Sequence, residues 1–133
     1  MNTSELISAA AAAREKAYTP YSGFRVGAAL LCKNGKVYTG CNIENASYSP
    51  TNCAERTAFF KAVSEGDREF EAIAIIGGKD ELTTCYPCGV CLQVMAEFSP
   101  DKDLKVIVSE NGKDYTVYTL MELLPHGFEL KAD

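Results

Sequence analysis

Thr51-Asn52-Cys53-Ala54-Glu55-Arg56-Thr57-Ala58 places a cysteine, a glutamate and an arginine within four residues at the start of a predicted helix. A second stretch, Tyr86-Pro87-Cys88-Gly89-Val90-Cys91, opens another predicted helix with two cysteines in Cys-x-x-Cys spacing. The N-terminus of a helix favours negative charge, so it lowers thiol pKa values and promotes the thiolate that binds metal. The two stretches decide the fold, because helix N-termini that face each other would bring three thiolates to one cation.

The bulk composition is that of an ordinary globular chain. Of its 133 residues, 47% are hydrophobic and 23% are charged, which predicts a single domain over residues 1–133 with its own core. The net charge of −5 offers no electrostatic footprint for nucleic acid or an anionic membrane, and no apolar run approaches the ~20 residues that span a bilayer. The alanine-rich start lacks a basic opening and carries Glu5, which favours a first helix over a signal peptide. These features predict a cytoplasmic protein whose partner is a small molecule or another protein.

Six cysteines in a cytoplasmic chain of this size favour metal binding or redox chemistry over disulfides. Cys32 and Cys41 lie in apolar, strand-like stretches and are expected in the core, since a free cysteine behaves as a small hydrophobe. The chemistry is therefore expected from the remaining four, which are Cys53, Cys85, Cys88 and Cys91.

Hydrophobic periodicity and turn residues predict helices and strands along the whole chain. Helices are expected over residues 4–17, 53–65, 88–98 and 120–124, and strands over residues 26–32, 37–42, 72–77, 104–109 and 115–118. Asn34-Gly35 is a strong hairpin signal between the first two strands. Because strand–helix–strand units favour parallel pairing, the predicted fold is α/β, a three-layer α/β/α sandwich around a mixed sheet of about five strands.

Cys53, Cys88 and Cys91 form the predicted metal site. Sulfur ligands and tetrahedral geometry suit Zn²⁺, and three protein ligands with one open position are typical of a catalytic site. Gly89 would let the backbone turn so that both sulfurs of its motif face one point. Pro87 would occupy the first helical position and set the direction of the chain there.

Two alternatives remain open for these cysteines. Cys85 as a fourth ligand would close the site and make it structural, although its position before an extended Tyr86-Pro87 segment argues against this. A Cys-x-x-Cys pair can also be a redox dithiol, but such a pair does not need a distant Cys-x-Glu. The only histidine, His126, is expected in a surface turn rather than at the metal.

Glu55 lies two residues after Cys53, in the first turn of the same predicted helix. From there its carboxylate can reach the open coordination position without being a ligand, take a proton from water and deliver it elsewhere. The alternative is a glutamate that interacts only with the helix dipole. Three thiolates overcompensate a divalent cation, and Arg56 can donate hydrogen bonds to them and adjust the local charge. The alternative for Arg56 is a surface ion pair.

Cys53-Ala54-Glu55 together with Pro87-Cys88-x-x-Cys91 resembles the signature of the zinc nucleobase deaminases in its three-cysteine form. The likeness runs along nearly the whole chain and is greatest to the small cytidine deaminases. Tyr21-Ser22-Gly23-Phe24-x-Val26-Gly27-Ala28-Ala29 resembles their opening segment. Gly40-Cys41-Asn42-Ile43-Glu44-Asn45-Ala46-Ser47-Tyr48 is similar to their ribose-binding strand and loop, and Leu123-Leu124-Pro125-x-x-Phe128 to their C-terminal end.

The resemblance implies hydrolytic deamination of cytidine and deoxycytidine to the uracil nucleoside and ammonia, in pyrimidine salvage, with one zinc per subunit. It also implies a homotetramer whose sites borrow residues from neighbouring subunits. Asn42 and Glu44 would hold ribose hydroxyls, while Phe24 would lie against the base. The Ala54 backbone would meet the pyrimidine. The contributions from neighbouring subunits would be Tyr48 and Phe128.

The chemistry of Asn42 and Glu44 agrees with this implication. Two residues apart at the end of a predicted strand, they point to the same side. A carboxylate accepts two hydrogen bonds, which suits a diol, and it would repel a phosphate. A nucleoside is therefore favoured over a nucleotide or a polynucleotide. The alternatives are a solvated loop carboxylate for Glu44 and plain core packing for Phe24.

One residue departs from the family pattern, since Leu92 follows Cys91 where the family usually has arginine. Loss of that cation is expected to change the charge balance at the site or a subunit contact, without removing a ligand or Glu55. Three rival functions remain. The first is deamination of a modified cytosine nucleoside such as an antibiotic, against which the Asn42-x-Glu44 pair argues. The others are a non-catalytic protein with a four-thiolate zinc and a thiol redox protein.

Overall fold

The structure is a computed structural model that describes residues 1–130. Within these residues the chain forms four helices and six strands. The helices are α1 (Thr3–Arg14), α2 (Ala54–Ser64), α3 (Gly89–Glu97) and α4 (Leu120–Leu123). The strands are β1 (Arg25–Cys32), β2 (Val37–Cys41), β3 (Phe70–Gly78), β4 (Leu82–Thr83), β5 (Lys105–Ser109) and β6 (Tyr115–Thr119).

The strands form one mixed sheet in the order β2-β1-β3-β5-β6, with the two-residue β4 paired to the end of β3. Only β3 and β5 pair in parallel, because α3 returns the chain to the edge where β3 began. The other pairs are antiparallel. The predicted mixed sheet of about five strands is thus confirmed, and β4 is a short addition in a segment predicted to be loop.

Helices cover both faces of the sheet and make the predicted three layers. The larger apolar cluster lies between the sheet and α2, α3 and α4, and the smaller one lies under α1. Successive residues of β3 alternate between the two clusters: Ile73 and Ile75 face the larger, and Ala72, Ala74 and Ile76 face the smaller. This two-sided burial explains the continuous apolar run of β3.

The first helix ends three residues earlier than the predicted residue 17, at Arg14. The next amides, those of Lys16 and Ala17, bond the carbonyls three residues back rather than four, which is a tightened turn and not a continued α-helix. At its start, Asn2 and Glu5 form the reciprocal capping box. None of the helices in the described part of the chain has the length and apolar content that a bilayer crossing requires.

The outer edge of β2 is blocked by side chains of α2. The carbonyls of Thr39 and Cys41 point away from β1, because ladder bonds come from alternate residues and Asn42 is on the paired side. Lys61 Nζ donates to the Thr39 carbonyl at 2.6 Å, and Thr57 Oγ1 donates to the Cys41 carbonyl at 3.1 Å. These acceptors at the sheet edge are therefore satisfied within the chain.

Gly40 in β2 allows the start of α2 to approach the sheet closely. A Cβ at this position would lie 2.4 Å from the Ala54 carbonyl oxygen and 2.6 Å from the Ala58 amide nitrogen. Both atoms are backbone, so a side chain here would displace the whole helix. By contrast, a Cβ at Gly89, the first residue of α3, would meet nothing within 4 Å.

We expect Gly40→Ala to lower the free energy of unfolding by about 1–3 kcal/mol through overpacking, and to move the N-terminus of α2 that carries Cys53 and Glu55. The matched control is Gly89→Ala, which should melt at or slightly above the wild-type temperature, because alanine is the better helix former. Thermal unfolding followed by circular dichroism measures both. A Gly40→Ala protein as stable as Gly89→Ala would contradict the close approach.

A polar network joins the β1–β2 hairpin to the end of α2. Tyr38 Oη donates to Asp67 Oδ2 at 2.5 Å, and Asn34 Nδ2 donates to Asp67 Oδ1 at 2.9 Å. The hydrogen bond from Tyr38 holds the pKa of the Asp67 carboxyl below its usual value. The same bond raises the pKa of Tyr38 to about 12.

Removal of the hydroxyl by Tyr38→Phe is expected to lower the melting temperature at neutral pH. Because the folded-state pKa of Asp67 is depressed, its contribution is present above the unfolded pKa of about 4 and is lost as pH falls through the folded value. The difference in melting temperature between wild type and variant should therefore shrink in acid. A difference that stays constant from pH 7 to pH 2 would show that Asp67 does not carry it.

Candidate metal and catalytic site

The N-termini of α2 and α3 converge and bring three thiols together. Cys53 is the N-cap of α2, Cys88 is the N-cap of α3, and Cys91 lies in the first turn of α3. The three sulfur atoms all lie within 4.8 Å of one another, and the Cys53 and Cys88 sulfurs are 3.9 Å apart. The cluster forms because each cysteine opens a helix whose remaining residues pack in the larger apolar cluster.

The cluster has the geometry and the donor chemistry of a zinc site. With Zn–S bonds of about 2.3 Å, tetrahedral coordination requires sulfurs about 3.8 Å apart. The 3.9 Å between Cys53 and Cys88 matches that separation. Among the described residues, the set of metal-binding side chains at this point consists of these three cysteines, so a tetrahedral ion would keep one position for a small molecule.

Hydrogen bonding prepares the thiols for metal. A hydrogen bond shared with Cys91, together with the Arg56 guanidinium, lowers the pKa of the Cys53 thiol to about 5. The shared bond raises the pKa of Cys91, because the proton lies on that sulfur when Cys53 is ionised. Cys88 Sγ accepts a hydrogen bond from the Cys91 amide at 3.5 Å, which is the N-cap contact of α3.

Arg56 lies against the cluster, and it makes no ion pair among the residues that the structure describes. Its Nη2 donates to Cys53 Sγ at 3.2 Å, and the hydrogen bonds to Cys53 and Cys91 raise the pKa of the guanidinium. Its Nε is buried and has no hydrogen-bond partner among the described residues. The guanidinium thus bonds the thiols through Nη2, while its buried Nε–H has no acceptor within residues 1–130.

Glu55 is buried beside the thiols, with 4% of its surface exposed. Burial raises the pKa of its carboxyl to about 7, and the negative charge of Cys53 adds to that shift. A glutamate that served only the helix dipole would sit in solvent and keep an ordinary pKa. A buried carboxyl with this pKa, beside the thiols, can take up and release a proton near neutral pH.

Cys85 lies close to the cluster but outside it. Its side chain packs on β3, where a Cβ added to Gly77 would lie 3.1 Å from the Cys85 sulfur. Burial raises the pKa of the Cys85 thiol to about 12, and its sulfur is not one of the three that converge. The four-thiolate alternative lacks its fourth ligand in this structure. His126 is exposed in a turn, as expected.

Two details of the Cys-x-x-Cys turn differ from the predictions. Pro87 is not the first helical residue, since Cys88 is the N-cap and α3 begins at Gly89. Gly89 does not use a backbone conformation reserved for glycine, because its φ is not positive and a Cβ would meet open space. The sulfurs converge because both cysteines belong to one helical turn, so the special freedom of glycine is not required.

Asn42, which is predicted to bind ribose, uses the oxygen and the nitrogen of its side-chain amide to bond the backbone where β1 begins. Oδ1 accepts from the Val26 amide and Nδ2 donates to the Phe24 carbonyl, each at 2.8 Å. One further acceptor position on Oδ1 and one N–H on Nδ2 stay available. Phe24 is half-buried against the larger apolar cluster, and Asn42 holds its backbone in place.

Glu44 is partly buried, and the turn that precedes Phe24 surrounds its carboxylate. Oε1 accepts from the amides of Tyr21 at 3.0 Å and Ser22 at 3.1 Å, while Oε2 accepts from the Ser22 hydroxyl. The hydrogen bond from Ser22 holds the pKa of Glu44 below its usual value. Three of about four acceptor positions are filled, so one remains, on the Oε2 side, for a donor from outside the chain.

Tyr48 and Phe128 are largely exposed, at 76% and 71% of their surfaces. The Gln93 side chain holds the Phe128 backbone, donating to its carbonyl at 2.8 Å and accepting from its amide at 3.0 Å. Leu92, which departs from the family pattern, is buried in the larger apolar cluster. Ala54, the first residue of α2, is fully buried.

Ser22 was missed by the sequence analysis. Its hydroxyl donates to Glu44 and accepts from the Phe24 amide at 3.0 Å. The second contact is a local turn in which a serine bonds the amide two residues on, and Ser22-Gly23 after Thr19-Pro20-Tyr21 is a signal for such a turn. The contact to Glu44 spans 22 residues, and no local sequence pattern indicates it.

Comparison with known proteins supports the same chemistry. Residues 1–110 match the family described as "Cytidine and deoxycytidylate deaminase zinc-binding region". A cytidine deaminase from Halalkalibacterium halodurans is 54% identical over 96% of this chain and 95% of the relative, and one from Sporosarcina psychrophila is 50% identical over 96% and 92%. The crystal structure of cytidine deaminase from Burkholderia pseudomallei superposes with a TM-score of 0.88 at 50% identity, covering 96% of this chain and all of that one.

The match to the family extends over more than half of the chain, and it includes Cys53, Glu55, Cys88 and Cys91. The chain therefore belongs to the cytidine and deoxycytidylate deaminase zinc-binding family.

Proposed function

We propose that this protein is a zinc-dependent cytidine deaminase that converts cytidine, and deoxycytidine, to the uracil nucleoside and ammonia. The observation that carries the proposal is a buried carboxyl, Glu55, beside three converged thiols. Relatives at 50% and 54% identity over 96% of the chain carry the name cytidine deaminase, which supports the choice of substrate. The role in the cell would be pyrimidine salvage.

Cys53, Cys88 and Cys91 would hold the ion. When bound there, zinc supplies a Lewis acid that lowers the pKa of water and so provides a nucleophile at neutral pH. Arg56 donates to the Cys53 sulfur and offsets part of the negative charge of three thiolates. The chain thereby limits the loss of Lewis acidity that an excess of thiolate charge would cause.

Glu55 would move the protons of the reaction. Its carboxylate would take one proton from water and deliver it to N3 of the base. It would then take the second proton, from the hydroxyl added at C4, and deliver it to the amine, which leaves as ammonia. A pKa of about 7 lets the same group accept and release a proton near neutral pH. The burial that raises this pKa also keeps bulk water from competing for the proton.

Recognition of the nucleoside would fall to residues around the mouth of the site. Phe24 would lie against the base, the Ala54 backbone would meet the pyrimidine edge, and Asn42 and Glu44 would bind ribose hydroxyls. The remaining amide and carboxylate positions on Asn42 and Glu44 support this assignment. These contacts would hold C4 in line with the attacking oxygen.

We also propose a cytoplasmic homotetramer of single-domain subunits, each comprising residues 1–133, with sites shared between neighbours. The large exposed fractions of Tyr48 and Phe128 support their contribution to a neighbouring site. The unpartnered Nε of Arg56, buried in the described chain, is a second group that a neighbour could satisfy. The acidic net charge of −5 supports a small uncharged substrate over a polynucleotide.

A single set of assays separates the rivals. The purified protein is analysed for zinc and is then assayed with cytidine, deoxycytidine and a blasticidin-type nucleoside. One zinc per chain with cytidine turnover supports the proposal. Zinc without turnover would indicate a structural metal, absence of metal would indicate a redox dithiol, and turnover restricted to the blasticidin-type compound would indicate an antibiotic deaminase.

We expect Glu55→Gln to lower the kcat for cytidine by about 10²–10⁴-fold, because the amide cannot carry the proton. The zinc content should stay at one per chain, since Glu55 is not a ligand. The matched control is Glu65→Gln, at the exposed far end of α2, which should keep wild-type activity. A Glu55→Gln enzyme with near-normal turnover would refute the proton-transfer role.

Cys88→Ser and Cys85→Ser test the assignment of ligands. Cys88→Ser should lose most of its zinc and melt at a lower temperature than wild type, because metal binding and folding are coupled at this turn. Cys85→Ser should keep one zinc per chain, since the Cys85 sulfur lies outside the cluster. Elemental analysis and thermal unfolding measure both variants, and the opposite pattern of zinc loss would overturn the assignment.

A further inference from the structure

Four residues around the proposed nucleoside site form one hydrogen-bonded chain. Glu44 accepts from the Ser22 hydroxyl, that hydroxyl accepts from the Phe24 amide, and the Phe24 carbonyl accepts from Asn42. Three of the four are assigned above to the base or the sugar. Ser22 is the member without an assigned role, and it connects the sugar end to the base end.

The Ser22 hydroxyl has one proton to donate. The Phe24 amide is itself a donor, so the contact with it uses an acceptor lone pair of the hydroxyl. The proton therefore goes to Oε2 of Glu44. Because the amides of Tyr21 and Ser22 both bind Oε1, the hydroxyl is the group that fixes the orientation of the second oxygen.

Oε2 is the oxygen that keeps an acceptor position free, as shown by the count of bonds to Glu44. A charged acceptor held in one orientation binds a hydroxyl without the entropic cost of ordering it first. Ser22 is exposed and Glu44 is partly buried, and both line a cavity of about 390 Å³ with Tyr21 and Tyr48. The contact between them thus serves the cavity wall and not the packing of the core.

We propose that Ser22 is a positioning residue for the substrate, which orients Oε2 of Glu44 toward a secondary hydroxyl of the sugar. This inference rests on the proposed function. The Asn42 side chain donates to the Phe24 carbonyl independently of Ser22. Loss of the Ser22 hydroxyl is therefore expected to weaken binding of the sugar and to leave Phe24, assigned to the base, in place. The chemical class that Ser22 helps to select is a nucleoside with a free hydroxyl on the ribose ring.

The test compares Ser22→Ala and wild-type holoenzyme with two substrates, cytidine and 2′,3′-dideoxycytidine, which lacks both secondary hydroxyls. For cytidine we expect KM to rise about tenfold with kcat within about threefold, the usual effect of losing one charge-assisted hydrogen bond. For dideoxycytidine kcat/KM should change by less than about threefold. An equal loss with both substrates, or no loss with either, would overturn the inference.

Two controls exclude a purely structural effect. Ser22→Thr keeps the hydroxyl and should restore the wild-type KM for cytidine, whereas Ser64→Ala, which removes a hydroxyl at the far end of α2, should leave both substrates unaffected. Adding Ser22→Ala to Glu44→Ala should raise KM by less than about twofold more, because the serine acts through that carboxylate. Full additivity of the two changes would overturn the inference.

The outcomes also distinguish this inference from the proposed function. A wild-type holoenzyme that turns over neither cytidine nor deoxycytidine would overturn both. Wild-type turnover with an unaffected Ser22→Ala variant would overturn the role of Ser22 alone. Equilibrium binding of the product uridine, which should weaken by about the same tenfold in Ser22→Ala, gives a reading that does not depend on the chemical step.

Discussion

The convergence of two helix N-termini on three thiols is the constraint on which the rest of the structure depends. The sulfurs lie within 4.8 Å of one another, and such a concentration of negative charge is tolerable only with a cation, helix dipoles and the Arg56 guanidinium nearby. This convergence requires α2 to lie close to the sheet near its N-cap, Cys53. Gly40 of β2 permits that close approach because it has no side chain. The close packing of α2 on the sheet and the convergence of the thiols therefore depend on the same part of the molecule.

Burial gives Glu55 its chemical character. The carboxyl sits on the same helical turn as Cys53, so the fold that assembles the thiols also removes Glu55 from water. The low local dielectric raises the pKa of Glu55 to about 7, so its carboxyl can both take up and release a proton at neutral pH. Burial raises the pKa of the neighbouring Cys85 thiol as well, and its sulfur lies outside the group of three.

Local patterns predicted the helices, five of the six strands and the pairing of Cys88 with Cys91, because alternation of apolar residues and spacing within one helical turn are short-range signals. The meeting of Cys53 with this pair spans 35 residues and depends on the convergence of two helices. The turn at Gly89 was explained wrongly, since a regular helical turn already aligns Cys88 and Cys91. The arrangement of Ser22 and Glu44 could not be read from the chain, because their contact joins two loops whose relative position is set by the packing of the sheet. Sequence thus indicates which groups meet when they share an element, and tertiary packing decides the rest.

The blocked edge of β2 has a consequence for how copies of this chain can meet. An unpaired strand edge normally invites another strand to add to the sheet, which leads to open-ended association. The Thr39 and Cys41 carbonyls are already bonded to side chains of α2. An added strand would therefore find few free acceptors on β2 and would have to displace Lys61. At this edge of the sheet, contact between copies of the chain would therefore favour surfaces built of helices and loops over addition of a strand to β2.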